Sequence, residues 1–219
     1  MQNKYSLVIF DLDGTLADTH RLIFDSFNFV MRKYKSIEMT PAEIMSYFGP
    51  PEDVCIRNML GDGNFQAGWR NYLNYYEDHL DETTLFPGIM DLLSNLRSMR
   101  IKLAVFTGKG IETTELTLNF HRIREYFDVV VTGSGVQNHK PHPEGVRLTL
   151  RKLNLVAGSA IVVGDSLSDY KAATSAGTDF VAATYDDLAR NRFDSLQCQK
   201  AKSVKELSAV LLTIKELSA

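Results

Sequence analysis

The chain is poor in cysteine and has no long apolar run. Its two cysteines, Cys55 and Cys198, lie far apart in 219 residues and form no CxxC or zinc pattern. No disulfide framework is expected, and a reduced cytoplasmic setting is. The longest hydrophobic stretches, such as Leu7–Phe10 and Ala160–Gly164, fall far short of the ~20 residues that cross a bilayer. Charge of one sign is also lacking: 24 Lys and Arg face 27 Asp and Glu, for a net −3. That balance leaves no basic stripe for nucleic acid and no polybasic patch for a membrane. Low-complexity segments and flexible interdomain linkers are missing as well. The first apolar run follows Met1 so closely that no signal peptide is expected. What remains is an ordinary globular composition, long enough for one sizeable core or a core with a smaller insert. A monomer or homodimer is expected.

The texture of the chain changes along its length. Tyr5-Ser6-Leu7-Val8-Ile9 is a short apolar, β-branched run that reads as a strand buried on both faces. Residues 17–83 then read as successive helices, with Leu22, Phe24, Phe27, Val30, Met31 and Tyr34 at helical spacing. Thr40-Pro41-Ala42-Glu43 carries a cap, a first-turn proline and a capping-box acid. A helix is expected around Glu52–Leu60, a turn at Gly61-Asp62-Gly63-Asn64, and a longer helix through Trp69, Leu73, Tyr76 and Leu80. From Pro87 onward, helices and strands alternate: strands at Lys102–Phe106, Val129–Thr132, Ala160–Val163 and Phe180–Ala183, with helices between them. Val204–Leu217 reads as a final amphipathic helix. This alternation calls for a parallel sheet with helices on both faces. The first strand belongs with it. The expected organisation is therefore an α/β core of residues 1–16 and 84–219, and a helical insertion of residues 17–83 over the sheet's carboxyl edge, where ligands bind in open α/β folds.

Chemistry-bearing residues gather at the ends of these strands. Asp11 and Asp13 stand two apart where the first strand ends, and Gly14-Thr15 turns the chain away. An ionised carboxylate there is costly unless a cation or hydrogen bonds compensate it. A helix cap would account for Asp13 or Thr15 alone; the pair suggests a bound metal. Ala104–Phe106 runs into Thr107-Gly108-Lys109. Ile161–Val163 runs into Gly164-Asp165-Ser166-Leu167-Ser168-Asp169. His139-Lys140-Pro141-His142-Pro143 lies in a loop before a helix. Taken singly, Thr107 and Asp165 read equally well as helix caps and Lys140 as a solvated loop cation. Lys109 reads slightly better as a solvent-facing lysine at a helix start than as a phosphate ligand. Together they offer a hydroxyl, a lysine and four acids to one sheet edge.

In these residues the chain resembles the haloacid dehalogenase superfamily of phosphotransferases, in its branch with a helical cap inserted after the first motif, and in Asp13-Gly14-Thr15-Leu16-Ala17-Asp18 and Pro87-Gly88 it is similar to the phosphoglycolate-phosphatase-like members. The resemblance covers nearly the whole chain. Asp11-Leu12-Asp13-Gly14-Thr15-Leu16 is similar to the first motif, Thr107 to the second, Lys140-Pro141 to the third and Gly164-Asp165-Ser166-x-x-Asp169 to the fourth. It implies a Rossmann-like parallel sheet with helices on both faces plus a helical cap. It also implies a Mg²⁺-dependent phosphatase that acts on a small phosphorylated metabolite, phosphoglycolate-like or a sugar phosphate, through an aspartyl-phosphate.

The implied roles have physical reasons. Asp11, ionised at neutral pH, attacks phosphorus without a base to activate it. The side chain of Asp13 serves as acid and then base. Thr107, the Gly108 N–H and Lys140 hold the phosphoryl oxygens. The metal takes side-chain oxygens from Asp11 and Asp165 and the carbonyl of Asp13, with Asp169 bound through water or bracing the ligands. The acid at position 13 favours phosphoryl transfer over dehalogenation, whose family members attack carbon and need neither that acid nor the metal.

Other outcomes stay open. They are a phosphomutase of the β-phosphoglucomutase kind, a phosphonatase using Lys33 or Lys35 for a Schiff base, and a non-catalytic protein on the same fold. Specificity is expected from the loops around residues 45–55, with His20, Arg57, Trp69 and Arg70 as further candidates. The aromatics Phe24, Phe27, Phe29, Tyr72, Tyr75 and Tyr76 read as core of the insertion. His139 and His142 lack a third partner for a metal.

Overall fold

A computed structural model describes residues 2–212 and 214–215. Its centre is a six-stranded sheet, parallel throughout: β1 (Leu7–Phe10), β2 (Lys102–Phe106), β3 (Val129–Val131), β4 (Ala160–Gly164), β5 (Asp179–Ala183) and β6 (Gln199–Ala201). The spatial order is β3-β2-β1-β4-β5-β6. The chain thus winds outward from β1 through β2 to β3, then crosses back to β4 and winds out the other way. β1 sits centrally, with Phe10 beside Val105 on one flank and Val163 on the other. Its continuous apolar sequence follows from that position. Successive side chains alternate between faces, so Val8 and Phe10 enter one core layer while Leu7 and Ile9 enter the other. The first layer is closed by α5 (Ile89–Ser98), α6 (Ile111–Phe120) and α9 (Val204–Leu211), the second by α7 (Glu144–Leu153) and α8 (Leu167–Ala176).

Between β1 and α5 lie four helices: α1 (His20–Lys35), α2 (Pro41–Met45), α3 (Glu52–Leu60) and α4 (Asp62–Asp78). They bury a separate apolar cluster that includes Leu22, Phe27, Ile56, Tyr72 and Tyr76. The Thr40 capping box forms, with the Glu43 carboxylate 2.7 Å from the Thr40 N–H. A short ribbon, Ala17–Asp18 against Thr84–Leu85, ties the two ends of this segment together.

Four readings of the sequence need correction. The turn expected over residues 61–64 is made by Gly61 alone, at φ +75°, and α4 begins at Asp62. A glycine with positive φ reverses the chain in one residue. The following helix ends at Asp78, and Leu80 lies in a separate 3₁₀ turn. The last helix stops at Leu211, and Ile214–Lys215 pairs antiparallel with Gln2–Asn3; positions 213, 216 and 217 of the expected helix lie outside the described residues. The edge strand β6 was not anticipated. Three residues are too few to show alternation, and pairing with β5 supplies what local pattern does not.

Asp128 fastens the edge of the sheet. Its Oδ2 accepts from the Leu103 N–H and from Arg97, each at 3.0 Å, and its Oδ1 from Lys102 at 3.0 Å. Burial alone would raise its pKa, but these donors outweigh it and hold the carboxyl below its usual range. The sign follows: the stabilisation is complete above the unfolded pKa and is lost as pH falls through the lower folded one. Asp128→Asn is expected to cost about 1–3 kcal/mol at pH 7. In urea unfolding, its deficit should begin to shrink below about pH 4, as the unfolded carboxyl takes up a proton, and vanish once the native one does too.

Candidate active site

The return of the chain from β3 to β4 leaves a crevice at the carboxyl end of β1, the place where open α/β sheets bind ligands. Asp11 is the first residue beyond that strand, and its N–H still donates to the Val163 carbonyl at 2.9 Å. Thr107 follows β2, Asp165 follows β4, and Lys140 arrives from the loop before α7. Asp11, Asp13, Thr107, Gly108, Lys140 and Asp165 line one cavity of about 350 Å³, whose opposite wall comes from the helical segment. Gly14 makes the turn at φ +73°, and a Cβ there would lie 2.7 Å from the His20 ring and 2.9 Å from the Asp165 carboxylate. Only glycine fits that turn.

Asp11, Asp165 and Asp169 are all buried, and one carboxylate oxygen of each lies within 4.8 Å of the others. Such a grouping of hard oxygen donors suits a divalent cation. The electrostatics agree: burial pushes Asp11 up to about 7 despite the attraction of Lys140, with Asp169 and Asp13 adding to the rise. Burial likewise lifts Asp165 well above the usual carboxylate range. These acids ionise together only if a positive charge joins them.

Lys140 supplies part of that charge. Its Nζ lies 2.9 Å from Asp11 Oδ1 and 2.5 Å from Asp169 Oδ1. Neither oxygen receives a well-directed hydrogen bond, so both keep lone pairs for another partner. Burial opposes the lysine's charge, but the two acids outweigh it and raise its pKa. The other oxygen of Asp169 caps α8 in a box with Ser166, accepting from the Ser166 N–H at 3.1 Å. Asp169 therefore fixes the helix start and Lys140 at once.

The helix-cap readings fall away: Ser166 caps α8 and Gly110 precedes α6, leaving Asp165 and Thr107 free of that task. Lys140 is not a solvated loop cation, with only 7% of its side chain exposed. The slight preference for a solvent-facing Lys109 is overturned too. Its side chain is 1% exposed, with Nζ 3.3 Å from both Asp13 Oδ1 and Glu52 Oε1 and 4.6 Å from the Tyr76 ring centre. Burial opposes its charge and Asp13 restores it, so the pKa is raised well above the usual lysine value. Asp13 also accepts from the Thr19 hydroxyl.

Glu52 was not singled out, although it lies within the loop region expected to set specificity. From the start of α3 it accepts from the Gly110 N–H at 2.5 Å and the Thr113 hydroxyl at 2.9 Å, clamping the helical segment to α6. An acid in a first helical turn usually reads as a dipole partner, and nothing local reveals this distant contact. Arg192 was missed as well: its Nη1 lies 3.2 Å from Asp165 Oδ2.

The remaining candidates separate cleanly. His20 lines the cavity, 3.5 Å from Asp186; burial disfavours its charge, but Asp186, Asp165 and Asp13 outweigh it and raise its pKa. Arg57 is exposed and paired with Asp62 at 2.7 Å, while Arg70 is exposed on α4 and Trp69 stacks on Tyr72. Lys33 and Lys35 are exposed, Lys33 on Asn71, so neither reaches the cavity. His142 is exposed and accepts from the Glu144 N–H. His139 is not among the residues lining the cavity. Both cysteines are free. No helix among the described residues is long and apolar enough to cross a membrane.

A parallel sheet with an acidic cluster at its switch point, roofed by an inserted helical segment, is the arrangement that the motifs of the sequence imply. Residues 8–183 match the model of the haloacid dehalogenase-like hydrolases, and the chain belongs to that family. The pyrophosphatase PpaX of Bacillus cereus (strain ATCC 10987) is 30% identical over 183 residues, covering 83% of this chain and 84% of that one. A predicted phosphoglycolate phosphatase from Haemophilus somnus superposes with TM-score 0.83 at 24% identity, over 96% of this chain and 99% of that one. CbbY from Rhodobacter sphaeroides, in complex with phosphate, superposes with TM-score 0.81 at 25% identity, over 93% and 96%. The chain is a phosphatase of this family.

The Asp13–Lys109–Glu52 chain makes a direct prediction. Lys109→Met leaves the buried Glu52 carboxylate and the largely buried Asp13 carboxylate without their cation and should cost about 3–5 kcal/mol. Pairing it with Glu52→Gln should cost less than the sum of the two single losses. Urea unfolding of the three variants measures this.

Proposed function

We propose that this protein is a magnesium-dependent phosphatase that releases phosphate from a small phosphorylated metabolite through an aspartyl-phosphate on Asp11. The observation that carries the reading is the convergence of Asp11, Asp165 and Asp169 within 4.8 Å at the rim of the sheet. Lys140 bridges two of them. The cavity, at about 350 Å³, suits a small ligand. The names of the relatives support phosphate chemistry.

Asp11 and Asp165 would hold the ion through side-chain oxygens and Asp13 through its carbonyl. Asp169, committed to Ser166 and Lys140, would brace them. When bound, magnesium offsets the repulsion between an anionic nucleophile and an anionic phosphoryl group.

Asp11 then forms the bond to phosphorus. Thr107, the Gly108 N–H and Lys140 hold the other phosphoryl oxygens as charge spreads over them. The Asp13 side chain gives its proton to the departing oxygen and takes one from the water that cleaves the intermediate. Lys109 and Thr19 hold that carboxyl in place. Residues 17–83 act as a cap that opens about the ribbon Ala17–Asp18/Thr84–Leu85 and closes through Glu52, excluding bulk water.

Asp11→Asn should lower turnover by roughly 10⁴ or more while leaving the fold and its thermal melt intact, assayed on a panel of phosphorylated metabolites. EDTA should abolish phosphate release and Mg²⁺ restore it. Release that is indifferent to EDTA removes the metal from the reading. Isomerisation of a sugar phosphate without release of inorganic phosphate would make the enzyme a mutase.

A further inference from the structure

The cavity holds an unevenly committed set of cations. Lys140 faces two carboxylates, Asp11 and Asp169, and Lys109 faces two others, Asp13 and Glu52. Arg192 faces one, Asp165, through a single nitrogen at 3.2 Å. Its Nη2 lies 4.0 Å from the Met45 thioether of the helical segment, a weak acceptor. Its side chain is 30% exposed where those of Lys109 and Lys140 are 1% and 7%. A guanidinium presents five N–H donors in a planar fork that fits phosphate or carboxylate through two bonds; beyond the contact with Asp165 and the more distant charge of Asp186, most of this donor set makes no ion pair.

The position of Arg192 is fixed. It comes from the long connection Thr184–Cys198 between β5 and β6. Long connections of this kind inside a compact domain are uncommon and usually functional. The next residue, Phe193, is fully buried against Phe180, with ring centres 5.8 Å apart. Tight turns hold the approach, with Ala189 N–H bonded to the Asp186 carbonyl and Arg192 N–H to that of Ala189. The cation that the helical segment brings to the cavity, His20, already faces Asp186 at 3.5 Å. Arg57 is turned outward onto Asp62, and the wall the segment presents is Ile23, Phe27, Phe48 and Pro50, with Glu52 already paired.

We infer that Arg192 is a specificity-determining residue that binds a second anionic group of the substrate, beyond the phosphoryl group that is transferred. This rests on the phosphatase reading and deepens it: the substrate class is a small phosphate carrying another phosphoryl or carboxylate group. With a divalent ion held by Asp11 and Asp165, the charge of Asp165 is shared and the guanidinium turns its free donors to the incoming anion. Selectivity thus comes from the loop after β5 as well as from the helical roof.

The test compares kcat and KM on inorganic pyrophosphate, phosphoglycolate and ethyl phosphate for wild type, Arg192→Gln and Arg192→Lys. The Mg²⁺ concentration for half-activity is measured for each. Arg192→Gln should lower kcat/KM for the two doubly anionic substrates relative to ethyl phosphate by about 10–100-fold, chiefly through KM, and Arg192→Lys should recover part of it. The arm that loses more tells a phosphoryl partner from a carboxylate. A ratio that does not move, with all three substrates falling together as the Mg²⁺ requirement rises, makes Arg192 a brace for Asp165 and overturns the inference. A wild type that prefers ethyl phosphate overturns it too. A wild type inactive on all three, and on every other phosphate ester, refutes the phosphatase reading itself. Should the variants fold poorly, inhibition of the wild type decides: methylenediphosphonate should compete at least about 10-fold better than methylphosphonate, and equal competition counts against the second subsite.

Discussion

The arrangement depends on making a crowd of buried carboxylates tolerable. Asp11, Asp165 and Asp169 meet within 4.8 Å, and Asp13 and Glu52 stand around the same cavity. An isolated buried carboxylate would shed its charge by taking a proton, and a protonated Asp11 could not serve as the nucleophile proposed for it. Ionisation therefore has to be secured by cations placed close by. Lys140 lies beside Asp11, Lys109 beside Asp13 and Arg192 beside Asp165. These three cations do not match five acids. The remaining deficit is what a divalent ion would fill, and it explains why two oxygens beside Lys140 keep lone pairs for a partner.

That balance is possible only because the sheet brings distant segments together. β1, β2 and β4 are adjacent and parallel, so their carboxyl ends deliver residues 11, 107 and 165 to one rim without loop flexibility. Sites carried on rigid strands hold catalytic groups more closely than sites on free loops. The tolerances are small. At Gly164 a Cβ would lie 2.5 Å from the Asp169 side chain, so the strand end and the first turn of α8 touch beside the acidic cluster.

Much of this was legible in the sequence where chemistry and local pattern coincide. The acids at the ends of apolar β-branched runs, the helices between them and the Thr40 capping box all leave short-range marks. Contacts that depend on tertiary approach leave none. Lys109 looked like a surface lysine because its two partners lie 96 residues before it, at Asp13, and 57 before it, at Glu52. Arg192 sits in a stretch without periodicity, and its value comes from Phe193 anchoring the loop. The Ser166–Asp169 capping box, by contrast, did carry a signal: a serine followed three residues later by an acid. It was hidden because the same acid also reads as a ligand. At the C-terminus, apolar periodicity continued past Leu211 while the chain left the helix to meet Gln2–Asn3; pattern alone does not register the competing partner.

The helical segment adds chemistry by what it removes. Its face toward the cavity is largely apolar, and it brings one acid, Glu52, already neutralised by Lys109. A roof of that kind lowers the local dielectric, so every charge interaction beneath it strengthens. Because Glu52 also takes the Gly110 N–H and the Thr113 hydroxyl, the same side chain that clamps the roof completes the partners of Lys109, and Lys109 reaches Asp13. The seating of the segment and the surroundings of the Asp13 carboxyl therefore share one lysine. In the proposed mechanism, opening of the segment would leave Lys109 short of a partner, and chemistry would then be tied to closure.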